Sequence, residues 1–266
     1  SRRMRFSPRD ADVIAAAALA LEAELSAIDA PPRLGVAAIS YAVGPALLAG
    51  LQADAGRAID FVIALGGYYD VRAVIAFATT GHVRAHPAAP WRPRDAHPLA
   101  RWFIAQSMAA QFADAEDRFA LQRLALERLR APDRERASPA LGPEGRAVLA
   151  LVENRDPAHV DALIDALPEA VRAGLEALDL STRDLTPLAG ELILIHGEAD
   201  RITPHNESER LAARVPGSAL FIAPGFSHIE LKSAGLRGKL VLVEAMAEIL
   251  DRRDGAEDRW SESRER

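Results

Sequence analysis

Residues 191–204 read ELILIHGEADRITP. Leu192 to Ile195 is a short run of bulky aliphatic side chains of strand length, and it breaks at Gly197 into a polar loop that carries Asp200 and ends at Pro204. Downstream, a stretch of helical composition from Glu207 leads to a second apolar run, Ser218 to Ala223 (SALFIA), followed at once by Gly225-Phe226-Ser227-His228. Upstream lie two more such runs. Leu34 to Ile39 (LGVAAI) reads as a buried strand. Ala58 to Leu65 (AIDFVIAL) reads as another, stopped by Gly66-Gly67, and Ala42 to Leu51 between them has helical composition. Strands separated by helices predict an α/β fold with a parallel, doubly wound sheet.

Between these two blocks the text changes. Residues 71–185 are rich in Ala, Leu, Arg and Glu, are punctuated by prolines from 87 to 157, and hold no convincing strand. That segment is expected as a helical insertion at one sheet edge. The chain thus divides into 1–70 and 186–251 as the two parts of a core, 71–185 as a cap, and 252–266 as a charged tail. At the front, Ser7-Pro8-Arg9-Asp10 is a helix start, with serine as cap, proline at the first position and acids facing the positive helix end. Ile14, Ala18, Leu21 and Leu25 are predicted to share the buried face of that helix, which Pro31-Pro32 ends. Leu236, Leu240, Val243, Met246 and Leu250 predict a final amphipathic helix.

The chain has 266 residues, which suits one large domain or a core with an insertion. Hydrophobic residues at 49% and charged residues at 26% exclude general disorder. A net charge of −6 leaves no basic footprint, so no nucleic-acid partner is expected. The absence of cysteine excludes disulfides, thiolate metal sites and cysteine nucleophiles. Val36 to Leu51 is mostly apolar, but Ser40, Gly44 and Pro45 interrupt it and it falls short of the ~20 residues of a membrane-spanning helix, so no span is expected. The composition leaves the compartment open. The cytoplasm is favoured, with room for a signal or anchor upstream of Ser1.

Three local sites carry chemistry, in the order Ser, Asp, His. Ser40 lies between a strand and a helix, where a sharp turn lifts a hydroxyl above a sheet and aims the next N–H at an oxyanion. Such a turn needs small neighbours two residues either side, and Ala38 and Ala42 supply them. Ser40 could equally be a plain helix cap. Asp200 follows a strand at the edge where open α/β sheets place their sites, and suits the role of orienting a histidine; it could also cap the Glu207 helix, although Thr203 and Asn206 compete for that place. His228 follows the next strand, 228 − 200 = 28 residues on, which leaves room for one helix and one strand between acid and base.

The stretches AAISYAVGPALLAG, DFVIALGGYYD, LILIHGEADRITP and ALFIAPGFSHIEL resemble the α/β-hydrolase superfamily, notably bacterial hydrolases of the dienelactone-hydrolase and esterase type. The resemblance covers Leu34 to Asp70 and Glu191 to Leu231, and HGxxDxxxP with its GxSH-like loop is the more specific half. It implies a mostly parallel sheet with four strands in this chain and an inserted helical cap. It implies Ser40 as nucleophile, Asp200 as acid, His228 as base, and the Tyr41 backbone N–H as one oxyanion donor. The activity implied is hydrolysis of small or medium carboxylic esters or thioesters through an acyl-enzyme, with an acyl small molecule as partner and no cofactor or metal. Acyl transfer by the same triad, or a hydrolase fold serving only to bind, are the alternatives.

The superfamily places four strands before the nucleophile strand, and the loop after the third supplies a second oxyanion N–H. Only one helix is readable before Ser40. The sequence therefore reads as truncated relative to the family, and the loss of one donor is expected to lower turnover by about 10²–10³. Leu34 to Ile39 is then expected at a sheet edge, its outer groups unpaired and a candidate for homodimer contact.

Other residues carry weaker signals. Asp70 follows a strand and is an alternative triad acid. His82, His86 and His97 with Asp95 have irregular spacing in a proline-rich setting and read as solvated loop residues rather than a metal site. His196 reads as a structural residue at a strand end. Trp91, Trp102 and Phe103 line a cap pocket or fill the cap core. The Arg/Glu pattern from Asp114 to Arg130 reads as an exposed helix face.

Overall fold

The computed structural model describes residues 7–28, 33–86, 88–131, 139–228 and 235–254. In chain order the elements are α1 (Arg9–Leu25), β1 (Gly35–Ile39), α2 (Val43–Gly50), α3 (Ala53–Ala58), β2 (Phe61–Leu65), α4 (Val71–Thr80), β3 (His82–Val83) and β4 (Arg92–Pro93). They continue with α5 (Ala100–Ala109), α6 (Ala115–Arg130), α7 (Pro143–Glu153), α8 (Val160–Asp165), α9 (Glu169–Leu178), β5 (Leu192–Gly197), α10 (Asn206–Arg214), β6 (Ala219–Ala223) and α11 (Leu236–Asp254). Two compact units result, one of Ser1–Pro8 and Asp70–Asp179, the other of Arg9–Tyr69 and Leu180–Arg266.

The second unit holds a four-stranded sheet in the order β1-β2-β5-β6. All its pairs are parallel, with Ile39 opposite Leu65, Leu65 opposite Ile195, and Gly197 opposite Ala223. Every residue of β5 is buried, as its unbroken aliphatic run requires of a central parallel strand. One face packs Ala38, Val62, Ala64, Leu192 and Leu194 against Val43, Leu47, Leu211 and Val215, joined by Leu180, Leu185 and Leu188. The other face packs Phe61, Ile193 and Ile195 against Leu242, Ala245 and Ile249 of α11. Among the described residues β1 pairs with β2 alone and so forms one edge of the sheet, with Ile39 half exposed.

Two helices depart from the face the sequence predicts, α1 in part, since Ala18 is buried and Ile14 partly covered as expected, and α11 throughout. On α1 the buried residues are Ala11, Ala15 and Ala18, with Ile14 partly covered, whereas Leu21 is exposed. The helix meets α2 and α3 through these alanines, Ala15 and Ile14 clustering with Ala49 and Ala55. On α11 the whole predicted stripe of Leu236, Leu240, Val243, Met246 and Leu250 faces outward, and Gly238 and Ala245 are the buried positions. In both helices the side with the smallest residues is turned inward, because it allows the closest approach of backbones. The predicted strand at Ala58 begins later, since Ala53–Ala58 is a helix and β2 starts at Phe61. Pro31-Pro32 and residues 255–266 of the tail lie outside the described residues.

The first unit is built from α4 to α9 around Ile75, Trp102, Met108, Leu121, Leu124, Val148, Leu151 and Ile164. Trp102 belongs to that core and Trp91 packs against it, with the Arg84 guanidinium 4.3 Å from the Trp91 ring centre. Although the sequence shows no convincing strand here, β3 and β4 form a two-residue antiparallel ladder. None of the Arg and Glu residues of α6 is buried, but Asp117 on the same helix is. Its carboxylate accepts the N–H groups of Gly142 (2.9 Å) and Gly145 (2.6 Å) at the start of α7, where helix N–H groups lack partners. Among the described residues no helix is long and apolar enough to cross a membrane.

Candidate active site

The end of β1 determines how Ser40 is presented. Ile39 is extended, Ser40 takes φ 56°, and the chain then tightens into a 3-10 turn over Ser40–Ala42 before entering α2. Ser40 is the sole non-glycine residue with positive φ among those described. A left-handed serine costs about 1–2 kcal/mol, so the surroundings must hold it. Ala38 and Val43 on either side are buried. A Cβ at Gly67 would run into the Val43 side chain, and one at Gly44 into the Tyr68 ring, so both glycines permit the turn to close. Tyr41, directly after the serine, points its hydroxyl back to α1 and donates to Asp10 Oδ2 at 2.9 Å.

The loops after β5 and β6 are fastened to each other by backbone. Glu198 N–H donates to the Ala223 carbonyl and Ala199 N–H to the Phe226 carbonyl, both at 3.1 Å. Gly197 has no room for a side chain against Phe226. This brings Asp200 beneath His228. Asp200 Oδ1 accepts the N–H groups of Ile202 (2.7 Å) and Thr203 (3.0 Å), and Oδ2 accepts His228 Nδ1–H at 2.6 Å. His228 Nε2 lies 2.8 Å from Ser40 Oγ. With Nδ1 donating to the carboxylate, Nε2 is the nitrogen left to accept the serine proton. Asp200 is buried, and burial pushes its pKa up, but hydrogen bonds from His196 and His228 and their charge outweigh this and bring it down to about 2.

The three residues therefore converge at the C-terminal ends of β1, β5 and β6, with His228 in the middle. Asp70 does something else. It is the cap of α4, its Oδ1 accepting Ala73 N–H at 3.0 Å, while the place beside His228 Nδ1 is held by Asp200. Two neighbours were not legible as part of the site. Gly66, which the sequence shows only as a strand stop, has φ 58°, and a Cβ there would stand 3.4 Å from His228 Nδ1 and 3.5 Å from Asp200 Oδ2. His196 is fully buried, with Nε2 3.2 Å from Asp200 Oδ2. The signal for Gly66 was its place after β2, in line with Ser40 after β1.

No group of three or more acidic or histidine side chains stands where it could hold a metal ion among the described residues. His82 Nδ1 lies 2.9 Å from the Thr80 carbonyl and His97 Nδ1 accepts Leu99 N–H at 3.2 Å, both local contacts.

No family model matches the chain, and no curated protein matches it. Solved structures do. The rice cell wall degrading esterase LipA from Xanthomonas oryzae aligns with 88% of this chain and 63% of its own, at 10% identity and a TM-score of 0.50. The chain thus spans less than two thirds of the length of LipA. A thermophilic esterase from Thermogutta terrifontis aligns with 89% of this chain and 71% of its own, at 16% identity and a TM-score of 0.35. The likeness to LipA is one of fold alone.

Proposed function

On the premise of an α/β-hydrolase fold, we propose that this chain is a serine hydrolase that cleaves carboxylic esters or thioesters through an acyl-enzyme. The observation that carries the reading is the continuous relay from Ser40 Oγ to His228 Nε2 (2.8 Å) and from His228 Nδ1 to Asp200 Oδ2 (2.6 Å), with the serine on a strained turn at a strand end. His228 accepts the Ser40 proton as Oγ adds to the acyl carbonyl carbon. The resulting oxyanion takes a hydrogen bond from the Tyr41 backbone N–H, the residue that follows the nucleophile. The tetrahedral species collapses, the bond to the leaving alcohol or thiol breaks, and the imidazolium returns the proton to that group. Water then enters and adds to the acyl carbon as His228 takes one of its protons; the acyl–Oγ bond breaks, the imidazolium returns that proton to Ser40 Oγ, and the carboxylic acid leaves. Asp200 stays ionised throughout, in keeping with its lowered pKa, and stabilises the imidazolium.

Hydrolysis of p-nitrophenyl acetate and butyrate tests this. An acyl-enzyme predicts a burst of p-nitrophenol of one equivalent or less followed by a slower steady rate, absent in Ser40→Ala. No turnover above buffer by the folded chain, or turnover unchanged in Ser40→Ala, overturns the proposal.

A further inference from the structure

The proposed chemistry uses one side of Asp200 and leaves a buried histidine on the other side without a task. His196 is the residue of β5 opposite Ile222 of β6, and both it and Ser208 of α10 are fully buried. Its Nδ1 is 2.7 Å from Ser208 Oγ, and its Nε2 is 3.0 Å from the Thr203 carbonyl and 3.2 Å from Asp200 Oδ2. Two acceptors at one ring nitrogen place a proton there, and Nδ1 is left to accept the Ser208 hydroxyl proton. The N–H is aimed at the Thr203 carbonyl, and the carboxylate oxygen slightly farther away shares its dipole.

The geometry has a consequence for the acid. The turn 200–203 is closed from within by Thr203 N–H donating to Asp200 Oδ1, and from outside by the Thr203 carbonyl accepting from His196. Oδ2, the oxygen that receives His228 Nδ1–H, is flanked by an imidazole on each side. A buried carboxylate needs such donors to stay ionised and to keep one orientation. We infer that His196, its ring held by Ser208, is a positioning residue that fixes Asp200 Oδ2 where it accepts the hydrogen bond of His228 Nδ1–H. A bland core position would be filled as well by an apolar side chain of the same size, and that is the distinction the experiment makes.

The kinetic arm of the test rests on the serine-hydrolase reading, and a spectroscopic arm does not. His196→Gln keeps an N–H donor near the position of Nε2, while His196→Met keeps the length and loses the donor. Labelling of Ser40 by a fluorophosphonate is expected to slow by about 10²-fold in the Met variant, the scale of a misplaced catalytic group, and to stay within about tenfold of wild type in the Gln variant. Equal rates in the two variants, whether fast or slow, overturn the inference. In the ¹⁵N-labelled wild type, long-range ¹H–¹⁵N correlation is expected to show His196 protonated at Nε2 and unprotonated at Nδ1 near neutral pH. An Nδ1–H tautomer overturns the inference even if the variants fail to fold. Absence of wild-type labelling with the Nε2–H tautomer intact counts against the hydrolase reading and not against this one.

Discussion

Asp200→Asn changes one atom of the site and tests the relay at its base. Two backbone N–H groups, from Ile202 and Thr203, bind Oδ1, so the amide oxygen of an asparagine must occupy that position. The amide nitrogen then falls where Oδ2 receives His228 Nδ1 at 2.6 Å, with His196 Nε2 3.2 Å away. It offers a proton to His228 Nδ1, which forces the imidazole into its other tautomer, with Nε2–H facing Ser40 Oγ. A base in that state cannot take the serine proton. The expected loss in ester turnover and in fluorophosphonate labelling is on the order of 10⁴. Stability falls as well. The shift of Asp200 from 3.8 to about 2 corresponds to about 2 kcal/mol of native-state stabilisation near neutral pH, which the neutral amide lacks. Urea denaturation at pH 7 reads that difference. Asp70→Asn serves as the control, since Asp70 caps α4 and asparagine caps a helix about as well, so little change in stability or in labelling is expected. Labelling of Asp200→Asn within tenfold of wild type, or a greater loss from Asp70→Asn, would refute this reasoning.

Three further outcomes follow from the same geometry. Because the folded pKa of Asp200 lies below its unfolded value, its contribution is full above about pH 5 and is lost as the pH falls towards 2; the stability gap between wild type and Asp200→Asn should therefore close over that range in urea titrations, and a gap that stays constant contradicts it. Gly66→Ala should lower stability by about 1 kcal/mol through its left-handed backbone, with little change in labelling, because its Cβ would keep ordinary contact distances of 3.4 and 3.5 Å from His228 and Asp200; a catalytic loss larger than the stability loss implies would count against that. On α11, Val243→Lys should change stability by less than about 0.5 kcal/mol, whereas Ala245→Leu should cost about 1–3 kcal/mol by overfilling the contact with the sheet; the reverse ranking would restore the predicted helix face.

The parts of the molecule legible in the sequence are those governed by local rules. The aliphatic run at 192–195 can hardly be other than a buried strand, and small residues around Ser40 are what its turn demands. The spacing from Asp200 to His228 leaves room for α10 and β6 and no more. What escaped depends on approach distance. Reading a helix by its largest side chains selects Leu236, Leu240 and Val243 on α11, yet Gly238 and Ala245 let it lie close on the sheet with Leu242 and Ile249 at the flanks. On α1 the same preference buries Ala11 and Ala15 beside the expected Ala18 and leaves Leu21 exposed. The role of Asp117 was not legible, because its partners, Gly142 and Gly145, lie far along the chain and offer only backbone N–H groups. His196 was legible as a strand-end residue, but its approach to Asp200 requires the turn 200–203 to fold back on β5.

The central claim is that Ser40 is a nucleophile activated by His228. Its most direct test is fluorophosphonate labelling of the folded chain at pH 8, followed by intact mass measurement and peptide mapping. One adduct per chain on Ser40, absent in Ser40→Ala and slowed by about 10³-fold or more in His228→Ala, is the result predicted. No adduct on a chain shown to be folded, or an adduct on Ser40 that forms equally fast in His228→Ala, would contradict it.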